Sequence, residues 1–225
     1  MVSSVSMTAF TLKLIAIITM IIDHLGLFFF PTIPELRLVG RISFPLFAWL
    51  IANGAYHTHN IRLYFLRLII CAAVSQVPFI LANKHLDPDI WLLNAVFTLS
   101  IGLAAIMLIQ QTKNKLLWIV VTSCAALLAQ VLQMDYGALG VLIVVFSYVF
   151  FTKPILLIIS QFVLFFGDFL FNAIVNHFVS IEVLGIFSFV FVLLYNGKPG
   201  IRARYLFYLF YPLQYVIIYC LQLVL

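Results

Sequence analysis

Charge is what this chain lacks. Only 8% of its 225 residues are charged, and seven are acidic. An average soluble domain carries about 25% charged residues. A water-soluble globule of this size could not cover its surface with so few, so a soluble enzyme, a nucleic-acid-binding module and a disordered chain are excluded. Alternating apolar and polar strands are also missing, because the apolar residues come in continuous runs. That excludes a β-barrel. Cysteine is scarce: Cys71, Cys124 and Cys220 lie in apolar runs without metal-ligand spacing and read as small core hydrophobes. There is no linker, no low-complexity tract and no internal repeat, which counts against a transporter built from duplicated halves. Nor is a cleavable signal peptide expected. The first apolar run is long, ends in Phe28-Phe29-Phe30-Pro31 and lacks a small-residue cleavage site.

What is present is apolar surface, 65% of the residues. A membrane span needs about 20 mostly apolar residues. Nine candidates follow one another at 12–30, 42–57, 64–82, 91–110, 116–133, 136–152, 154–174, 181–195 and 206–224. The second and eighth are short, which leaves room for tilted or re-entrant elements there. The expected fold is therefore an all-α polytopic membrane bundle of about nine transmembrane helices. It forms a single domain over residues 1–225.

The basic residues sort by side. Lys13, Arg62, Arg67, Lys113, Lys115, Lys153, Lys198, Arg202 and Arg204 fall at the N-terminal flank or in the loops after even-numbered spans. Arg37, Arg41 and Lys84 fall on the other side, and no acidic residue joins the first set. The positive-inside rule then places the N-terminus in the cytoplasm and the C-terminus outside.

Ionisable residues inside a span are costly unless they are paired or used. In the first span Lys13 lies at the inner end. Asp23 and His24 lie toward the outer half, His24 about 16 Å further along the axis at 1.5 Å per residue. Asp168 interrupts the seventh span after Phe165-Phe166-Gly167. Asp135 precedes Tyr136-Gly137 at the start of the sixth, and Glu182 opens the eighth. Arg37 and Arg41 flank Gly40. Collected in one layer, these charges describe either a polar pocket open to the outer half or structural ion pairs tying helix ends together. Glu35, Asp87 and Asp89 read as solvated loop charges.

The inner face differs. Asn53-Gly54-Ala55-Tyr56-His57-Thr58-His59-Asn60 leads into Arg62 and Arg67, and the loop Asn196 to Arg204 adds Lys198, Arg202 and Arg204. Orientation alone accounts for these charges. A dock for a phosphorylated anionic ligand is the functional reading. His57 and His59 lack an evident third ligand, so no metal is expected.

Leu12-Lys-Leu-Ile-Ala-Ile-Ile-Thr-Met-Ile-Ile-Asp-His24, Gly40-Arg-Ile-Ser-Phe-Pro-Leu-Phe-Ala48, Asp135-Tyr-Gly137, Tyr195-Asn-Gly-Lys198 and Tyr205-Leu-Phe-Tyr-Leu-Phe-Tyr-Pro212 follow one another along the chain. Together they resemble the TraX family, membrane proteins associated with acetylation of conjugative pilin. The spacing of Lys13 and His24 is also similar to a basic-x10-His pattern in the first helix of wider transmembrane acyltransferases. The resemblance implies a multi-pass protein of the bacterial inner membrane that takes acetyl-CoA from the cytoplasm. It would acylate an acceptor reached from within or across the bilayer: a pilin N-terminus, a glycan or a small amine. By the same resemblance His24 is the catalytic histidine, with Asp23, Asp135, Asp168 and Arg41 as orienting or oxyanion-stabilising groups. Lys13, Asn53, Arg62, Arg67, Asn196, Lys198, Arg202 and Arg204 are the expected cofactor-binding set. Similar sequences often carry His where this one has Gln214, which keeps a hydrogen bond but cannot titrate. Two other readings stay open: a proton-coupled transporter using Asp23, His24 and Asp168 as a relay, and a non-catalytic assembly factor for a pilus or envelope complex.

Overall fold

The computed structural model describes residues 6–201 and 205–224. Among these residues it is helical throughout, with isolated bridges at Met7–Tyr195 and Leu93–Met134 in place of strands. Helices α1 (Ala9–Phe28), α2 (Pro34–Gly40), α3 (Ser43–His57), α4 (Ile61–Asn83), α5 (Ala95–Ile109), α6 (Lys115–Val131), α7 (Gly137–Val149) and α8 (Pro154–Val175) follow in order. A 3-10 turn (Ile181–Phe187) then runs directly into α9 (Ser188–Leu193), and α10 (Leu206–Val224) comes last.

Each expected span contains a helical segment, and 206–224 matches without adjustment. Five segments are long and apolar enough to cross a membrane: α1, α2 with α3, α4, α8 and α10. The other four, α5, α6, α7 and the 181–193 stretch, are apolar but shorter. The loop expected before the second span instead contains α2. Pro34 at its first position presets the helical φ and gives up an N–H that no helix start would use. The eighth segment is compressed because its first seven residues wind as 3-10 helix. Of the three cysteines only Cys71 is buried. Cys124 and Cys220 lie on outward faces, which corrects the reading of all three as core. Large apolar side chains are exposed along α6 and α8, among them Ile119, Val131, Ile155 and Ile174. On a protein in water such faces would aggregate; in lipid they need no cover.

The chain divides into two compact units. The first takes residues 6–50 and 149–201, and the second residues 51–148 and 205–224, so the division falls inside α3.

In the first unit, the Thr8 side chain caps α1 by accepting from the Thr11 N–H at 3.2 Å. Ser43 donates to the Ala16 carbonyl at 2.8 Å and fixes the start of α3 against the middle of α1. Gly185 lets the Phe165 ring and Pro45 lie against backbone. A Cβ there would come within 2.8 Å of the ring and 3.0 Å of the proline.

In the second unit, α4 packs along α10 through the Phe79–Tyr215 ring pair, 5.2 Å between centroids. Asn94 caps α5 and donates its side-chain amide to the Ala72 carbonyl and to Gln76 Oε1, at 2.8 and 2.7 Å. Gly102 allows close approach of Val144.

Candidate functional site

The expected outer layer of charges exists in the first unit as an ion-pair cluster. Asp23, on α1, is buried, with both carboxylate oxygens engaged. Arg37 Nη1 donates to Oδ2 at 2.6 Å and Arg41 Nη2 to Oδ1 at 2.5 Å. Arg41 is 6% exposed and divides its guanidinium: Nη1 goes to Glu182 Oε1, and Nε donates to the Arg37 carbonyl at 3.2 Å. Local sequence explains the arrangement. One turn of helix separates Arg37 from Arg41, so both reach the same side. Gly40 lies against Asp23, where any Cβ would collide with the carboxyl group.

Asp168 enters the same region indirectly. Its Oδ2 accepts from the Ser180 hydroxyl at 3.1 Å, and Ser180 Oγ accepts in turn from the Glu182 N–H at 3.4 Å, capping the 3-10 turn. His24 is half-buried, with its ring edge-to-face on Phe28 at 6.0 Å. Consecutive residues on an α-helix diverge by about 100°. Asp23 therefore faces the arginines while His24 takes a neighbouring face. Asp23 carries out the role of anchor for two cations. Glu182 and Arg37, which the sequence placed in the layer without a catalytic role, turn out to complete the cluster.

Asp135 belongs to the second unit. Its N–H donates to the Leu93 carbonyl at 2.8 Å, and its carbonyl accepts from the Thr98 hydroxyl. The next residues, Tyr136 and Gly137, have φ of 64° and 43°. A left-handed tyrosine is uncommon and held only where its surroundings fix it. The Asp-Tyr-Gly motif is thus a rigid corner between α6 and α7.

The expected cofactor-binding residues divide between the units. In the first, Lys13 is half-buried on α1. Asn196 and Lys198 lie in a loop clasped to the start of that helix. Met7 donates to the Leu194 carbonyl at 2.8 Å and Asn196 to the Met7 carbonyl at 2.9 Å. Ala9 and Phe10 donate to the Lys198 and Pro199 carbonyls at 3.0 and 3.1 Å. Two of the N–H groups that an α-helix start leaves unmatched are therefore spent on protein. In the second unit Arg62 is exposed, while Asn53 and Arg67 are half-buried. Asn53 Oδ1 and Arg67 Nε are buried atoms with no hydrogen-bond partner among the described residues. Arg202 and Arg204 lie outside the described residues. Glu35, Asp87 and Asp89 are exposed, as expected of solvated charges, though Glu35 lies in the first turn of α2 rather than in a loop.

Sequence reasoning missed the pairing of Gln76 with Asn94, and it missed Trp49 and Ser188. For the serine no sequence signal existed: six residues after Glu182 lies off its face in an α-helix, and the two align only through the 3-10 winding of residues 181–187.

The chain is 29% identical over 232 residues to a protein of Dichelobacter nodosus described as probable fimbrial assembly protein FimC, serogroup H1, covering 94% of each. It is 34% identical over 59 residues to an uncharacterized protein of Rickettsia prowazekii (strain Madrid E), covering 26% of this chain and 24% of that one. No solved structure matches. The family model described as TraX protein matches residues 9–222, across both units. With nearly its whole length matched, this multi-pass helical chain belongs to the TraX family.

Proposed function

We propose that the protein is an integral membrane acyltransferase of the bacterial inner membrane, using acetyl-CoA from the cytoplasm. The acceptor is reached from within or across the bilayer: a pilin N-terminus, an envelope glycan or a small amine. The observation that carries the reading is the position of His24. It is a half-buried imidazole inside an apolar span, about 16 Å along the axis from Lys13, beside a carboxylate immobilised by two arginines. Imidazole exchanges protons near neutral pH, and such a residue in a span is a functional candidate by default.

In this reading His24 accepts the proton of the acceptor N–H or O–H as its lone pair attacks the thioester carbonyl. The new C–N or C–O bond forms and the C–S bond breaks. The proton returns to the departing thiolate. The Asp23–Arg37–Arg41–Glu182 cluster holds the outer end of α1 in place for this step. Lys13 and Lys198, both in the first unit, serve the phosphates of the donor.

The test is incubation of the purified protein with labelled acetyl-CoA, scoring label that leaves the thioester. His24→Ala should melt as the wild type does and lose transfer by at least about 10²-fold, as for removal of a general base. Full transfer by a well-folded variant removes the catalytic role. One observation favours a second reading, a non-catalytic assembly factor: Asp23, Arg37 and Arg41 are engaged with one another and with Glu182, as a structural tie requires. The Dichelobacter relative described as a fimbrial assembly protein is compatible with it. That reading predicts that no label moves and that His24→Ala supports assembly normally.

A further inference from the structure

The stretch after α8 presents Glu182, Gly185, Ser188, Val192 and Tyr195, spaced as one helical face. This face looks into the first unit. Glu182 holds Arg41, Gly185 receives Phe165 and Pro45, and the Tyr195 ring meets that of Trp49 at 4.9 Å. Arg41, Pro45 and Trp49 follow at intervals of four, so the two faces run side by side in the same direction. Position 41 meets 182, position 45 meets 185, and position 49 falls at the level from 188 to 195. One end of this column is the ion-pair cluster. The other is the loop of Asn196 and Lys198.

Midway along it are two unmatched groups. Ser188 is 0% exposed and Trp49 is 3% exposed. Neither Ser188 Oγ nor Trp49 Nε1 has a hydrogen-bond partner among the described residues. Gln161, one turn of α8 before Phe165, is also 0% exposed. Leaving a buried N–H and a buried hydroxyl unbonded costs stability, and native proteins keep few of them. Phe151 stacks on the Trp49 indole, 5.7 Å between centroids, and Phe165 and Val192 are buried apolar neighbours in sequence of Gln161 and Ser188. An indole N–H and a hydroxyl, neither of them charged, match a neutral group bearing a carbonyl oxygen.

We infer that Trp49 Nε1 on α3 and Ser188 Oγ on the 181–193 segment, both buried and unbonded in the first unit, form a two-point hydrogen-bonding site for a neutral amide. The amide belongs to the pantetheine arm of the acyl donor; this assignment of ligand rests on the acyl-transfer reading. The arm carries two amides between its phosphates and its thioester. A site of this kind lies where a donor reaching from the Lys198 end toward the His24 end would need it. The indole donates to the amide oxygen, and the hydroxyl rotates to accept from its N–H or to donate beside the indole.

The test measures equilibrium binding to the full-length protein in detergent for two probes: coenzyme A, and adenosine 3′,5′-bisphosphate, which lacks the arm. Ser188→Ala removes a single oxygen; Trp49→Phe removes the indole N–H together with part of the ring, and its lost packing lowers the melting temperature. Each should weaken coenzyme A about tenfold, which is 1.4 kcal/mol, and leave the bisphosphate unchanged, with the melting temperature of Ser188→Ala at or above wild type. Wild-type affinity for coenzyme A in both variants overturns the site, as does equal loss of both probes. If Trp49→Phe does not fold, Ser188→Ala alone decides, since it deletes a single oxygen. A wild-type protein that binds no coenzyme A overturns the acyl-donor reading itself. Wild-type binding with indifferent variants overturns only this inference.

Discussion

At the scale of single residues, Arg41 has the most demanding position in the described structure. It is buried, serves two carboxylates on different helices and leaves neither with another cation of comparable burial. Removing one partner from a buried pair leaves an uncompensated charge and costs about 3–5 kcal/mol. Arg41→Gln should therefore lower stability by about that amount, measured by denaturation in detergent. Glu182→Gln should lose less, because Asp23 still accepts from both arginines. Equal losses in the two variants would mean that Asp23 is not the anchor. Asp23→Asn should reduce acyl transfer less than His24→Ala, since Asp23 faces the arginines and acts on the imidazole only by fixing α1. The sequence made the charged residues of this layer legible, because a charge in an apolar run is conspicuous. Their partners were not legible. Asp23 and His24 adjoin in sequence, yet the rotation between successive helical residues sends them to different neighbours. Ser188 and Trp49 were missed because a serine or an indole in an apolar run is ordinary until a structure shows it without a hydrogen bond.

Among the elements, the nine helical stretches were legible from hydrophobic runs alone, because in lipid the helix must satisfy its own backbone. Helix α2 was not. Its residues Pro34-Glu-Leu-Arg-Leu-Val-Gly40 are too few to span and too polar to form an apolar run. Its helicity follows from its Pro start and from Gly40 docking on Asp23. Nor could hydropathy show that the eighth stretch begins as 3-10 helix. That winding stacks positions three apart, which brings Glu182 and Gly185 into line toward Arg41 and Pro45. The clasp between residues 7–10 and 194–199 is equally silent in sequence, since backbone groups make it.

For the whole molecule, orientation is the property the sequence states most clearly. Nine of twelve basic residues fall in one set of alternate loops. A phosphatase fused after the C-terminus should be active and one fused after Lys113 silent, because phosphatase folds only outside the cytoplasm. The reverse pattern would invert the molecule and put His24 in the inner half. The same experiment bears on span number. Four helical stretches are shorter than a usual crossing, and the predicted alternation holds only if each still changes sides.

The first unit is assembled from both ends of the chain, and this has a consequence for biosynthesis. Ala9 and Phe10 are made long before their hydrogen-bonding partners, the carbonyls of Lys198 and Pro199. Arg41 likewise has Asp23 from the start but must await Glu182. At the ribosome, then, the opening helices enter the membrane unfinished while residues 51–148 are still being made. The order of manufacture and the order of completion are opposed. A cysteine at position 8, introduced as Thr8→Cys, should react with a water-soluble maleimide on nascent chains and become protected only after about residue 200 has emerged. Early protection on short chains would mean that the start of α1 closes without the loop. During that interval Arg41 holds Asp23 but not yet Glu182.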